Sequence, residues 1–227
     1  MTDPQKTILR RATAGFCAGG FLLLLLLVAG GSTAGFDNAV LSFFCSLRSD
    51  LLTPAVIAMT NTANRYFIIG LCLLLLIIPR TRLPFGVPLS AASLAMTIVN
   101  HLIKDAVCRP RPEVLHLAQE GGFSFPSGHS EGSMVFYGLA IWLVWHYAKA
   151  GGPFHYSKKT AMILTVLLLI PLVLVGPTRL YLGVHFPTDV LAGWCLGAAA
   201  VTVTAEIILT VEQHRTQNRT APGSRSK

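Results

Sequence analysis

Charge is what this sequence has least of: only 12% of its 227 residues are charged, about half the fraction of an ordinary soluble domain. Acidic residues are the scarcest, with 10 Asp and Glu against 18 Lys and Arg. Hydrophobic residues make up 52% of the chain, and the mean hydropathy is +0.59. This composition excludes an ordinary soluble domain and indicates an integral membrane protein.

The cysteines lack the spacing of metal ligands, and the sequence lacks internal repeats. Most of the five cysteines lie within apolar runs, so we interpret them as small buried hydrophobic residues; they are Cys17, Cys45, Cys72, Cys108 and Cys195. A Cys45–Cys108 disulfide stays open as an alternative, since it requires that both residues face an oxidising compartment.

Long apolar runs predict an all-α fold, a polytopic bundle of about six transmembrane helices at about 20 residues for each span. The predicted spans are residues 12–36, about 61–79, 83–103, about 127–147, 160–178 and 187 to about 209. Residues 12–36 exceed the core of a signal peptide, about 7–15 residues, so we favour a retained helix over a cleaved signal. Residues 37–50 are amphipathic and predict a short interfacial helix after the first span.

The distribution of basic residues predicts the orientation. An even number of spans places both termini, Arg80, Arg82 and the loop 149–159 on one side, which then holds most of the basic residues. By the positive-inside bias that side is cytoplasmic, which predicts a multi-pass protein of the inner membrane. The bias accounts for most of the net charge of +8, so no nucleic-acid partner is needed. We expect one membrane domain, residues 1–212, and a polar, disordered cytoplasmic tail, residues 213–227.

Basic residues on the opposite side need another reason to be there. They are Arg48, Arg65, Lys104, Arg109, Arg111 and Arg179, and the last four lie in polar clusters at span ends. In the first cluster, Lys104 ends a helix and Pro110 and Pro112 prevent its continuation. Lys and Arg in this arrangement suit the oxygens of a phosphate. A patch that holds anionic lipid headgroups is the alternative.

The second cluster is Ser127-Gly128-His129, at the start of the fourth predicted span. The free N–H groups of a helix N-terminus favour an anion, and Gly128 allows a close approach to the backbone. His129 can donate a proton near neutral pH. An ordinary Ser cap followed by an interfacial His is the alternative.

The third cluster joins Thr178-Arg179, at the end of the fifth span, to His185 and Asp189, at the start of the sixth. His185 and Asp189 are four residues apart, so they can meet on one side of a helical turn. A carboxylate bonded to one ring nitrogen leaves the other nitrogen free as a nucleophile. A His–Asp pair with a purely structural hydrogen bond is the alternative.

These motifs resemble those of the type 2 phosphatidic acid phosphatase superfamily. The matches are K-x6-R-P at Lys104, Arg111 and Pro112, P-S-G-H at 126–129, and a near-match to S-R-x5-H-x3-D at Arg179, His185 and Asp189. The resemblance covers roughly residues 104–189 and the layout of spans. Thr178 stands where the family usually has Ser, which retains a hydroxyl.

The resemblance implies a role for each matching residue. His185 would attack phosphorus to form a phosphohistidine, Asp189 would orient it, and His129 would protonate the leaving oxygen. The phosphate would be held by Lys104, Arg111, Arg179, Ser127 and Gly128, with Glu131 and Thr178 as possible auxiliary residues. The family needs no metal or other cofactor. Arg109 is expected to contact lipid headgroups or solvent rather than the transferred phosphate.

The sequence therefore predicts a metal-independent lipid phosphatase whose site faces the exterior or periplasm. The family resemblance favours undecaprenyl diphosphate or phosphatidylglycerol phosphate as substrate, held in the bilayer by its lipid tail, with no obligate protein partner. A lipid phosphotransferase with the same phosphohistidine and a lipid A phosphatase remain alternatives. A non-catalytic transporter or lipid-binding protein is less favoured, because the charged clusters lie at span ends rather than at mid-membrane.

Overall fold

The described part of the chain is helical and contains no strand. The computed structural model describes residues 3–148, 154 and 156–220. Its helices are α1 (Asp3–Ala29), α2 (Ala34–Ser46), α3 (Thr53–Asn61), α4 (Arg65–Ile77), α5 (Pro79–Val107), α6 (residues 128–147), α7 (Lys158–Tyr181) and α8 (Pro187–Thr220). Helix α5 contains a π-helical turn at Arg82–Gly86, and α6 contains one at Met134–Gly138. The all-α prediction is confirmed.

Four described helices, α1, α5, α7 and α8, are long and apolar enough to cross a bilayer. The count reaches five if α3 and α4, which meet at a bend of 44°, form one broken span. Asn64 lies at this break, where its side chain accepts a hydrogen bond from the backbone N–H of Tyr66 and caps α4. The sequence predicts about six spans, one more than the upper count by length and composition.

Helix α6 accounts for the difference. It covers the predicted fourth span, but Ser130, Glu131 and Ser133 lie in its first turns, and all three are buried. A helix with this composition is too polar to count as an apolar span. Farther along α6, Val135, Leu139 and Leu143 are almost completely buried and form the main hydrophobic core. The helix therefore lies inside the bundle, where neighbouring helices shield its polar turns.

The outer helices present apolar side chains outward, as a lipid-facing surface requires. Leu22, Leu23 and Leu26 of α1 are exposed, as are Ile163 and Leu167 of α7. Together with the apolar lengths of these helices, this supports a membrane protein.

Helix α2 differs from the predicted interfacial helix in its bounds and in the burial of Asp37. It begins at Ala34 and ends at Ser46, whereas the sequence pattern predicts 37–50. Asp37 is an acidic residue of this amphipathic segment, where the polar face is expected to meet water, yet it is completely buried. Hydrogen bonds from distant residues explain its burial, as described below.

Helix α8 extends beyond the predicted boundary of the membrane domain. It continues to Thr220, so the first part of the tail predicted to be disordered is helical, and residues 221–227 lie outside the described residues. Glu212 Oε2 lies 3.0 Å from His146 Nε2 of α6, and the His146 ring stacks on Trp142 of the same helix. The His146–Glu212 contact with α6 supports α8 past its apolar segment. All five cysteines are free, including Cys45 and Cys108.

Close packing of α7 on α8 predicts the effect of one substitution. A Cβ at Gly176 would lie 2.4 Å from Trp194 Cζ2 and 2.7 Å from Val190 Cγ1, so Gly176→Ala should destabilise the fold by about 1–3 kcal/mol. Gly70→Ala is the matched control, because a Cβ there meets nothing within 4 Å. Thermal unfolding in detergent checks this: Gly176→Ala should lower the midpoint and Gly70→Ala should not. Equal midpoints for both variants would contradict the described packing.

Candidate active site

The three polar clusters lie together at one end of the bundle. Lys104 lies in the last turn of α5, Ser127 caps α6, and Arg179 lies in the last turn of α7. His185 lies in the connection from α7 to α8, and its surroundings include Arg179, Arg111, Lys104 and His129. The backbone also links the clusters, because Ser127 N–H donates to the carbonyl of Asp189 at 3.0 Å.

A glycine turn places His185 in this site. Gly183 has φ +78, a left-handed conformation that favours glycine. Its N–H bonds to Leu180, and the N–H of Val184 bonds to the carbonyl of Arg179 at 3.2 Å, which closes α7 with a Schellman-like end. A Cβ at Gly183 would lie 2.5 Å from Arg48 Nη2. The turn therefore requires glycine both for its conformation and for space.

His185 presents one ring nitrogen to Asp189 and the other to a cation. Nδ1 lies 3.4 Å from Asp189 Oδ2, and the same oxygen accepts the backbone N–H of Phe186 at 2.9 Å. Nε2 lies 3.3 Å from Arg111 Nη1. Burial lowers the pKa of His185 well below its ordinary value, and the nearby charges of Arg179 and Arg111 lower it further. The imidazole is therefore neutral, and its Nε2 can act as a nucleophile.

Arg111 and Lys104 are held by backbone carbonyls of the loop that leads to α6. Arg111 donates to Gly121 at 2.9 Å, to Gly122 at 3.1 Å and, across the site, to Val184 at 2.7 Å. Lys104 Nζ donates to Phe123 at 2.5 Å. These bonds fix the loop beside His185 and hold both positive charges at its edge.

Arg179 is the most deeply buried cation of the site, at 1% exposure. Its Nη1 donates to Thr60 Oγ1 of α3 at 2.8 Å, and its Nη2 pairs with Glu120. Its Nε has no hydrogen-bond partner among the described residues. A buried N–H without a partner costs free energy, and an anion bound here would supply the missing acceptor.

Glu120 is a site residue that the sequence analysis missed. Its carboxylate pairs with Arg179, and its Oε1 lies 3.8 Å from His129 Nδ1. Burial alone would raise the pKa of Glu120, but the charge of Arg179 and its hydrogen bond outweigh this effect and hold the pKa below its ordinary value. An ionised carboxylate thus lies among the cations of the site. The loop 105–125 has no periodicity, and no pattern in it singles out Glu120.

Ser127 and Gly128 have clear structural roles. Ser127 Oγ accepts hydrogen bonds from the N–H and the hydroxyl of Ser130, at 3.4 and 3.0 Å, and so caps α6. A Cβ at Gly128 would lie 3.3 Å from Asn100 Oδ1, so glycine allows α5 and α6 to approach closely. That Ser127 and Gly128 bind phosphate stays a prediction.

The polar groups of the two auxiliary residues, Thr178 and Glu131, make no hydrogen bond to the cations around His185 among the described residues. Thr178 Oγ1 donates to the carbonyl of Val175 at 2.6 Å, within its own helix, which uses its hydroxyl proton there. Glu131 is 2% exposed and lies beside Asn100. Glu131 Oε1 and Asn100 Nδ2 have no hydrogen-bond partner of good geometry in the described structure.

Arg109 was expected to contact lipid headgroups or solvent, but its side chain is only 12% exposed and pairs with two buried carboxylates. Its Nη2 lies 2.6 Å from Asp37 Oδ2 and its Nη1 lies 2.5 Å from Asp189 Oδ1. Its guanidinium also lies over the ring of Phe186, 4.2 Å from the centroid, in a cation–π contact. Both carboxylates are completely buried, and their charges draw Arg109 inward.

Residues 85–212, more than half of the chain, match the PAP2 superfamily. This chain belongs to the PAP2 superfamily. The match includes all three clusters, so it confirms the resemblance to the type 2 phosphatidic acid phosphatases that their motifs indicate.

Two curated relatives share parts of the sequence. Phosphatidylglycerophosphatase B of Bacillus subtilis (strain 168) is 44% identical over 101 residues, which are 44% of this chain and 46% of that protein. The undecaprenyl-diphosphatase of Sulfolobus acidocaldarius is 29% identical over 153 residues, 65% of this chain and 66% of that protein. The matches thus span about half and about two thirds of these relatives.

Solved structures share the fold. A transmembrane PAP2-type phosphatidylglycerolphosphate phosphatase from Bacillus subtilis has a TM-score of 0.76 at 25% identity, over 88% of this chain and 97% of that chain. Aquifex aeolicus LpxE has a TM-score of 0.59 at 21% identity, over 75% and 95% of the two chains. The second likeness concerns the fold alone.

Proposed function

We propose that this PAP2 protein is a metal-independent lipid phosphatase that removes a phosphate or diphosphate headgroup through a phosphohistidine on His185. The observation that carries the proposal is the environment of the His185 ring. Its Nδ1 faces Asp189 and its Nε2 faces Arg111, so a neutral nucleophile lies beside a cation suited to a phosphate oxygen.

The reaction proceeds in two displacements. The lone pair of His185 Nε2 forms a bond to phosphorus, and the bond from phosphorus to the leaving oxygen breaks. His129 gives its proton to that oxygen. Water then attacks phosphorus and gives a proton to His129, and the phosphorus–nitrogen bond breaks to release phosphate. Asp189 stabilises the positive charge that develops on the His185 ring in the first step.

Cations of the chain hold the phosphate oxygens in this proposal. Arg111 lies beside His185 Nε2, and Arg179 offers the N–H that lacks a partner. Lys104 adds a third positive charge at the edge of the site. The Glu120 carboxylate pairs with Nη2 of Arg179 and opposes a phosphate at the free Nε, because both groups are negatively charged. The same carboxylate lies near His129 and favours its protonated form.

The position of the site suits a lipid substrate. The catalytic residues lie where α5, α6, α7 and α8 begin or end, so the phosphate of a lipid can reach them while its tail stays among the apolar helices. Undecaprenyl diphosphate and phosphatidylglycerol phosphate are the proposed substrates, supported by the names of the two curated relatives. The basic residues support cytoplasmic termini and a site on the outer face of the inner membrane.

Replacing the nucleophile tests the proposed function. His185→Ala should reduce phosphate release by at least about 10³-fold, since loss of a catalytic nucleophile removes most of the rate enhancement. His101→Ala is the matched control, because His101 is exposed and bonds only to Thr97 of its own helix among its described contacts. The assay measures phosphate release in detergent from phosphatidylglycerol phosphate, undecaprenyl diphosphate, phosphatidic acid and lipid A.

Three results would contradict the proposal. They are near-wild-type turnover by His185→Ala, a strict requirement for a divalent metal, and no release from any of these lipids by the wild-type protein. Repeating the assay with added lipid acceptors separates a phosphatase from a phosphotransferase: a transferase forms a new phospholipid and releases little free phosphate.

Removing the Glu120 charge tests its opposition to phosphate. Glu120→Gln should lower the inhibition constant of inorganic phosphate by about tenfold, because the negative charge that opposes phosphate at Arg179 is removed. It should also lower kcat, because His129 loses the charge that favours its protonated form. Glu113→Gln, an exposed residue of the same loop, should change neither quantity. Weaker phosphate inhibition in Glu120→Gln would instead mean that Glu120 assists binding.

A further inference from the structure

Asp37 is a buried carboxylate that none of the three motifs contains. It lies on α2 and is 0% exposed. Its Oδ1 accepts the backbone N–H of Thr188 at 3.0 Å, and both of its oxygens lie 2.9 Å from Thr188 Oγ1. Its Oδ2 accepts from Arg109 Nη2 at 2.6 Å. Asp37 therefore connects α2 to the first turn of α8, the turn that contains Asp189.

Arg109 is shared between Asp37 and the carboxylate that faces His185. Its Nη1 donates to Asp189 Oδ1 at 2.5 Å and to Thr188 Oγ1 at 2.8 Å, while its Nη2 is committed to Asp37. The other oxygen of Asp189, Oδ2, is left for the backbone of Phe186 and the ring of His185. The two oxygens of Asp189 thus have separate tasks.

The formal charges of this group contribute to the field at His185, together with those of Arg179, Arg111 and Lys104. Asp37, Arg109 and Asp189 together carry one net negative charge next to the imidazole. Without the charge of Asp37, Arg109 would neutralise Asp189 alone, and the net charge would be zero. In a buried site, where charges are weakly screened, this change removes the stabilisation of the positive charge that forms on His185 during attack on phosphorus.

We propose that Asp37 is a positioning residue for the phosphatase reaction, which acts through Arg109 to keep Asp189 negatively charged and directed at His185. The inference rests on the proposed function, because it assumes that His185 is the nucleophile. The hydrogen bond from the Thr188 N–H to Asp37 also positions Asp189. It satisfies a free N–H at the start of α8 and fixes the turn from which Asp189 projects.

A purely structural ion network makes a different prediction. In that case each single substitution would lower the thermal midpoint, because it leaves a buried charge without its partner, but kcat of the folded protein would stay near the wild-type value. In the charge-balance account, Asp37→Asn gives a net charge of zero. Arg109→Gln leaves two buried negative charges without a cation, and such a pair favours protonation of a carboxylate. The double variant restores one negative charge, on Asp189. The double variant should therefore be more active than either single variant.

The experiment measures kcat and KM for wild type, Asp37→Asn, Arg109→Gln and the double variant, on a lipid phosphate that the wild type hydrolyses. Asp37→Asn should lower kcat by about 10–100-fold, the usual effect of losing a group that orients a ligand or catalytic histidine through a second residue. Its KM should stay within about twofold, because Asp37 does not contact the phosphate cations. The double variant should recover at least about fivefold over Asp37→Asn.

Controls separate the possible failures. Asp50→Asn, an exposed residue that follows α2, should match the wild type, and thermal midpoints identify variants that do not fold. If Asp37→Asn does not fold, higher activity of the double variant than of Arg109→Gln still supports the proposal. Wild-type kcat in Asp37→Asn, or losses that multiply in the double variant, would overturn it. A wild-type protein without phosphatase activity would overturn the proposed function instead.

Discussion

The cost of burying charge among apolar helices governs this site. Burying an ion costs several kcal/mol of hydration free energy, and only a well-placed partner offsets this cost. Buried charges in a membrane bundle therefore need partners. Arg179 is 1% exposed and Asp37 and Asp189 are 0% exposed. Their partners come from other parts of the chain: Glu120 for Arg179, and Arg109 for both aspartates. The pairing of charges therefore brings α2, α7, α8 and the 108–127 segment together.

The need of buried charges for partners also suits this site to bind an anion. Arg111, Lys104 and Arg179 bring three positive charges around His185, while Glu120 supplies an ionised carboxylate close to them. Two of these cations bond mainly to backbone carbonyls, which carry no full charge to neutralise them. A phosphate group provides that charge and an acceptor for the N–H of Arg179 that lacks a partner. In the proposed reaction, these positive charges take the role that a divalent ion has in many phosphoryl-transfer sites.

The main part of this arrangement could be predicted from the sequence, because each motif occurs at the end of an apolar run. His185 and Asp189 are four residues apart, and helical geometry alone brings them together. The meeting of Lys104, His129 and Arg179 follows from helices that all end on one side of the bundle. The family match agrees with the order of these motifs.

The missed features depend on contacts between distant residues. Asp37 and Arg109 are 72 residues apart, and Thr60 and Arg179 are 119 apart, distances at which no periodicity relates two positions. Asp37 lies in an amphipathic segment, where a carboxylate normally faces water. Glu120 lies in an irregular loop. Helix α6 falls outside the count of apolar spans because it is central and polar at its start, and the extent of α8 depends on contacts such as His146–Glu212.

The central claim is that His185 Nε2 forms a covalent bond to phosphorus. The most direct measurement is rapid-quench trapping with a lipid labelled in its transferred phosphate, stopped with alkali, in which phosphohistidine is stable, and followed by mass spectrometry of the peptide around 185. The account predicts label on His185 that appears and decays at rates compatible with turnover, and no label in His185→Ala. Label on another residue, or wild-type turnover without label under conditions that resolve the first turnover, would contradict it.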